Sequence, residues 1–174
     1  MTGVILYRSK YGATRKYAAW ISERTGFPCL ETAKADIREV AQCDVIVLGG
    51  GIYASGIAGL SFLKKHIREL KGKKIVVFCD GASPFDEEAF GQIVKRNMAG
   101  ELFGIPCFYC RGAWNLAGMR FTDRSLCRLL IQSVQKKKPE ELAVWERTLL
   151  EAGDQAYDWT SEAQIEPILA EIGR

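Results

Sequence analysis

Four times along the chain a run of contiguous apolar, β-prone residues gives way to small or turn-forming residues and then to apolar positions at helical spacing. Val4–Tyr7 precedes Ser9–Gly12 and a segment over Ala13–Arg24 with Tyr17, Trp20 and Ile21 on one face. Val45–Leu48 precedes Gly49–Gly56 and a helix reaching Lys71, Ile75–Phe78 precedes Asp80–Pro84 and a helix reaching Met98, and Ile105–Cys110 precedes Arg111 and Gly112. A weaker strand, Phe27–Thr32, leads into a short helix over Asp36–Ala41. Short strands without polar alternation, separated by helices, predict an α/β fold with a parallel sheet buried on both faces. Five such strands predict the order 2-1-3-4-5, which opens a ligand crevice between the loops that follow the first and third strands.

Beyond the fifth strand the pattern changes. Phe121–Val134 reads as an amphipathic basic helix, Lys136-Lys137-Lys138-Pro139 ends it, and Glu140–Ala152 and Ser161–Ile172 read as two more helices. One helix is enough to cover the last strand. Residues 1–174 therefore read as one domain, with 114–156 a helical insertion before the final helix.

Composition narrows the classes. The net charge of +3 is too small to call for nucleic acid, but it is unevenly placed. Arg111–Lys138 holds seven basic residues against the single acid Asp123, whereas Pro139–Arg174 holds nine acids against two arginines. No charged segment followed by a cleavable apolar stretch opens the sequence, so the six cysteines read as free thiols in a reducing cytoplasm. The uncharged stretch Val45–Leu63 carries five glycines and divides into strand, loop and helix, against a membrane span.

The loop Ser9-Lys10-Tyr11-Gly12-Ala13-Thr14 joins the first strand to the first helix, where backbone N–H groups and the positive helix end converge on a place for a phosphate. Ser9 and Thr14 add hydroxyls and Gly12 permits a tight turn. The plainer reading is a βα turn with Thr14 as the helix N-cap. The loop has neither the G-K-[ST] ending of a Walker loop nor the G-x-G-x-x-G pattern, which counts against nucleoside triphosphates and dinucleotides. Gly49-Gly50-Gly51-Ile52-Tyr53-Ala54-Ser55-Gly56 reads as a loop able to set amides against the edge of a flat ring with Tyr53 on its face. Asp80-Gly81-Ala82-Ser83 forms the third loop and Gly112-Ala113 the fourth. Cys107 and Cys110 share a predicted strand, where i and i+3 face opposite ways, so they do not read as a dithiol. His66 reads as a surface residue, and no spacing of ligands points to a metal.

Together these segments resemble the flavodoxin superfamily, whose phosphate loop [ST]-x-[TY]-G-x-T is matched by Ser9, Tyr11, Gly12 and Thr14. Arg111-Gly112-Ala113, Met119–Arg124 and Tyr157-Asp158-Trp159 further resemble the menaquinone-dependent protoporphyrinogen oxidase type of long-chain flavodoxin. The resemblance implies FMN with its phosphate at Ser9–Thr14 and its isoalloxazine among Gly50–Gly56, Asp80–Ser83, Gly112 and Ala113. It also implies an oxidoreductase that takes electrons from a tetrapyrrole and passes them to a quinone, the flavin doing the chemistry and no protein group acting as catalytic acid or base. The acids Asp80, Asp86, Glu87 and Glu88 sit awkwardly beside porphyrinogen propionates. The alternative is a non-catalytic electron carrier, against which the slightly basic charge leans, since carriers of this family are typically acidic. Arg120–Lys138, with Phe121, Leu126, Leu129, Leu130, Ile131 and Val134 beside Arg120, Arg124 and Arg128, has a composition for an anionic membrane face or, equally, for a core-facing helix with a solvated basic side.

Overall fold

A computed structural model describes residues 1–174. Its main sheet holds parallel strands β1 (Gly3–Arg8), β2 (Cys29–Glu31), β3 (Val45–Tyr53), β5 (Lys74–Gly81) and β6 (Cys107–Arg111) in the order β2-β1-β3-β5-β6. This is the expected 2-1-3-4-5 arrangement, with a short antiparallel strand β4 (Gly56–Ile57) added to the end of β3.

Burial on both faces follows from the contiguous apolar runs. On one face Val4, Leu6, Ile46, Leu48 and Val77 pack under α3 (Leu60–His66) and α4 (Glu87–Asn97), with Val40 of the short α2 (Ile37–Val40). On the other, Ile5, Val45, Val47, Val76 and Phe78 pack under α1 (Ala13–Thr25) and α7 (Glu166–Gly173). Cys107 lies against the first cluster and Cys110 within the second, as their spacing in a strand requires. All six cysteines are unpaired.

Two expectations need correction. Gly49–Gly51 belong to β3 rather than to a loop: the Phe78 ring fills the space over Gly49 and the Ala58 carbonyl that over Gly50, so only a residue without a β-carbon fits in the strand at either place. Glycine reads as a turn former from sequence but serves here for close packing. His66 is also less exposed than expected, its ring lying 5.0 Å from that of Phe62 and its Nδ1 3.3 Å from Glu69.

The segment after β6 builds a small core of its own. Strand β7 (Ala113–Trp114) pairs antiparallel with β8 (Tyr157–Asp158), which draws both ends of the segment together. Between them α5 (Phe121–Val134) and α6 (Val144–Ala152) enclose Trp114, Leu116, Val134, Leu149 and Ala152. The expected helix over Glu140–Ala152 is α-helical only from Val144, Pro139–Glu141 forming a 3-10 turn before α6. No helix is long and apolar enough to cross a membrane.

Candidate functional site

The loops after β1, β3, β5 and β6 meet at the carboxyl edge of the sheet. The first ends in Gly12, whose φ of +102° no residue with a β-carbon adopts readily. Gly12, not Thr14, is the N-cap of α1, and no side chain caps that helix. The N–H groups of Ala13 and Thr14 thus lie at an open, positively polarised helix end. Ser9 Oγ accepts the Gly12 N–H at 3.0 Å and so holds the loop in shape.

Thr14 is buried, and its hydroxyl donates to Asp80 Oδ1 at 2.6 Å. The contact joins the first turn of α1 to the end of β5. Burial pushes the Asp80 carboxyl up to about 6, and the Thr14 bond partly opposes this. Gly112 lies over the same carboxyl, donating its N–H to the Gly81 carbonyl at 2.7 Å.

The second loop is a tight hairpin. Ala54 and Ser55 both take left-handed φ, and Gly56 pairs back on Tyr53. Asn97 of α4 clamps it, its side-chain amide donating to the Ser55 carbonyl at 2.8 Å and its side-chain oxygen accepting the Ile57 N–H at 3.0 Å. Tyr53 reaches the first loop: its hydroxyl accepts the Lys10 N–H at 3.3 Å, and the Lys10 ammonium sits 4.7 Å from its ring. Ile52 lies beside Gly81. Gly50 and Gly51 back the loop from within β3.

In the third loop Tyr109 of β6 donates its hydroxyl to the Ser83 carbonyl at 2.6 Å, and the Arg111 guanidinium bonds the Ala82 carbonyl at 3.1 Å. Of the acids near this loop, Asp86 caps α4 by accepting the Ala89 N–H, and Glu87 and Glu88 occupy the first turn, where they complement the helix dipole. Ala113, beyond Gly112, is exposed in β7 and contributes backbone only.

Three contacts at this edge join residues too far apart in sequence to be paired by pattern. Asp123, in the first turn of α5, accepts from the Lys10 ammonium at 3.1 Å and from the Tyr11 hydroxyl. Those two bonds hold its carboxyl below the usual carboxylate range, the Tyr11 bond contributing most. Arg111 lies 4.1 Å from the Trp159 ring, itself stacked on Tyr157. Tyr17, fully buried, donates to the Arg111 carbonyl at 2.5 Å and accepts the Ser161 N–H at 3.3 Å.

Helix α5 faces two ways. Val134, Cys127 and Ile131 turn toward the small core, whereas Phe121, Leu126, Leu129 and Leu130 are exposed, Phe121 by 80% and Leu126 by 66%. Arg120 and Arg128 are exposed and Lys136–Lys138 follow the end of the helix, whereas Arg124 turns inward with its guanidinium donating to the Met119 carbonyl at 2.9 Å, so the basic helix does not use its apolar residues for the core alone.

A flavodoxin domain family model matches residues 4–141. No curated protein matches. Among solved structures the chain is similar to the two-electron reduced flavodoxin of Megasphaera elsdenii (22% identity, 62% of this chain and 82% of that one, TM-score 0.44). It is similar to oxidised flavodoxin 1 of Bacillus cereus (16% identity, 79% and 100%, TM-score 0.43) and to a WrbA-like flavodoxin of Agrobacterium tumefaciens (16% identity, 74% and 91%, TM-score 0.44). The residues at the carboxyl edge fit FMN: an uncapped helix end and the unobstructed Gly12 leave room and N–H donors for a phosphate, and Tyr53 supplies an aromatic ring beside it.

Proposed function

Because the chain belongs to the flavodoxin domain family and has FMN as its cofactor, we propose that it is an FMN-dependent oxidoreductase working with a lipid-soluble partner, a quinone or a porphyrinogen, at an anionic membrane surface. The observation that carries this reading is the outer face of α5. Four large apolar side chains stand in solvent there, with the exposed Arg120 and Arg128 on the same helix and three lysines after it, and the first turn of the same helix is bonded to the loop that would hold the cofactor. A helix lying in the headgroup region has this composition. In such a pose the cytoplasmic protein rests peripherally on the inner face of the membrane.

When bound, FMN supplies one- or two-electron redox chemistry at its ring. The chain supplies placement. The N–H groups at the start of α1, with Ser9 and Gly12 shaping the loop, take the phosphate. The segment from Gly50 to Gly56, held by Asn97, and Gly81–Ser83, held by Tyr109 and Arg111, border the ring, with Asp80 and Gly112 nearer the start of α1. No side chain there is required to transfer a proton to the substrate. Of the four acids near the third loop, Asp80 is buried and Asp86 caps α4, whereas Glu87 and Glu88 stand exposed in the first turn of that helix.

The test is spectroscopic. The protein is loaded with FMN, reduced, and re-oxidised by a menaquinone analogue in phosphatidylglycerol vesicles, in phosphatidylcholine vesicles, and in buffer. Faster re-oxidation on the anionic vesicles, lost in the L126S/L129S variant while the flavin spectrum is unchanged, is the expected result. Equal rates in all three media would leave a soluble electron carrier whose redox partner is a protein.

A further inference from the structure

Asp80 sits at the end of β5 between Gly51 of β3 and Cys110 of β6, and is 7% exposed. One oxygen accepts from Thr14, and the other lies 2.9 Å from where a β-carbon on Gly112 would stand. No cation reaches it: Lys10 is paired with Asp123, and the Arg111 guanidinium is turned to the Ala82 carbonyl and the Trp159 ring. The ionisable groups that face it come from every neighbouring element, Tyr17 of α1, Tyr53 of β3, Cys79 of β5, and Tyr109 and Cys110 of β6. All five are acids kept neutral around pH 7, their values pushed up chiefly by burial and, for Cys79, by its contact with Cys107. A carboxyl group therefore stands unneutralised directly beneath the first turn of α1, whose N–H groups form the phosphate site.

We propose that FMN seats its phosphate over Asp80 with that carboxyl protonated, so that binding the cofactor takes up a proton from solvent and Asp80 makes FMN affinity dependent on pH. The inference rests on placing the phosphate at Ser9–Thr14. A buried carboxylate with one hydrogen bond and no counter-ion is already poorly stabilised, and a dianion brought next to it opposes its charge further. The proton passes from solvent to the carboxylate as FMN binds and returns when FMN leaves. Below the value of the free protein, about 6, the group is protonated beforehand and no uptake occurs. Above it each binding event must supply the proton, and affinity weakens as pH rises until the value of the bound form is passed.

Calorimetric titration of FMN into the cofactor-free protein at about pH 7.5, in two buffers of different ionisation enthalpy, measures the uptake directly. Free FMN is already dianionic there, since a phosphate monoester loses its second proton near pH ~6, so the ligand contributes little. Wild type is expected to take up about half to one proton per FMN, with Kd weakening several-fold between about pH 7 and pH 8.5. Asp80→Asn is expected to take up none, to show a flat Kd, and to bind more tightly than wild type at the upper pH. Riboflavin, lacking the phosphate, is expected to draw less proton than FMN. Tight FMN binding with no uptake by wild type, or uptake persisting in D80N, overturns the proposal alone. FMN binding no tighter than riboflavin overturns it together with the placement of the phosphate.

Discussion

Replacing Asp80 by Asn in the FMN-free protein is expected to stabilise it, and only above a definite pH. The Asp80 carboxyl titrates at about 6 in the folded chain against 3.8 in an unstructured one, because burial disfavours the charge more than the Thr14 hydroxyl supports it. A group whose value is raised on folding contributes its full stability below the unfolded value and loses it as pH rises through the folded one. The difference of about two units corresponds to about 3 kcal/mol lost between about pH 4 and pH 6, at ~1.36 kcal/mol per unit. Asn has no charge to desolvate but gives Thr14 a neutral rather than a charged acceptor, returning about 1 kcal/mol. The net gain at pH 7.5 is therefore about 2 kcal/mol, or an increase in Tm of roughly 4–8 °C for a chain of this length. Urea unfolding at half-unit steps from pH 4 to 8 is the assay. The wild-type curve should fall away from that of D80N up to about pH 6 and run parallel above it. A variant less stable than wild type at pH 7.5, or a difference independent of pH, would mean that the ionised carboxyl has a partner and that the reasoning is wrong.

Other substitutions test the supports of the site. Tyr17→Phe leaves the Arg111 carbonyl and the Ser161 N–H without their partner in a fully buried place, and should cost about 2–4 kcal/mol in urea unfolding. A loss under about 0.5 kcal/mol would show that the two backbone groups find other partners. Asn97→Ala removes three bonds, to the Ile57 N–H and to the Ser55 and Ile93 carbonyls, and should cost about 2–3 kcal/mol while raising amide exchange at Ile57. Ser55→Gly, at φ 65°, should stabilise the hairpin by about 1 kcal/mol, read as a small rise in Tm. Asp123→Ala, which frees the Lys10 ammonium for the phosphate, should tighten FMN binding and increase tryptic cleavage around Lys136–Lys138; unchanged cleavage would show that α5 is held by its small core alone.

Much of this architecture was legible in the sequence because each strand is a short, unbroken apolar run and each such run must be covered on both sides. The order of strands was expected from a five-stranded βα series of this length, which suits a doubly wound sheet. Helix α5 was legible to the residue, since apolar spacing begins at Phe121 and a lysine run with Pro139 ends it. Gly49–Gly51 misled because a glycine's reason lies across the sheet, in the ring of Phe78 and the backbone of Ala58, and nothing local records it. The Thr14 hydroxyl was read as pointing to a ligand, and its actual partner is 66 positions away. Likewise the lone acid of a basic segment, Asp123, stood out in sequence, but its bonds to Lys10 and Tyr11 span more than a hundred residues.

Those long-range bonds change what the insertion is for. A helix attached only through its own small core could tilt or part from the sheet without disturbing the cofactor loop. Here Lys10 and Tyr11, neighbours of the N–H groups that would bind phosphate, are fixed by the first turn of α5, and Lys10 is also seated on Tyr53. The face that would meet lipid begins at Phe121, two positions before Asp123. A force that moves α5 must therefore act on the phosphate loop, and a phosphate that draws the Lys10 ammonium toward itself must loosen the hold of Asp123. With the phosphate at Ser9–Thr14 the two sites would compete for one cation, so cofactor occupancy and the attitude of the exposed helix would be coupled by electrostatics rather than by any shared pocket.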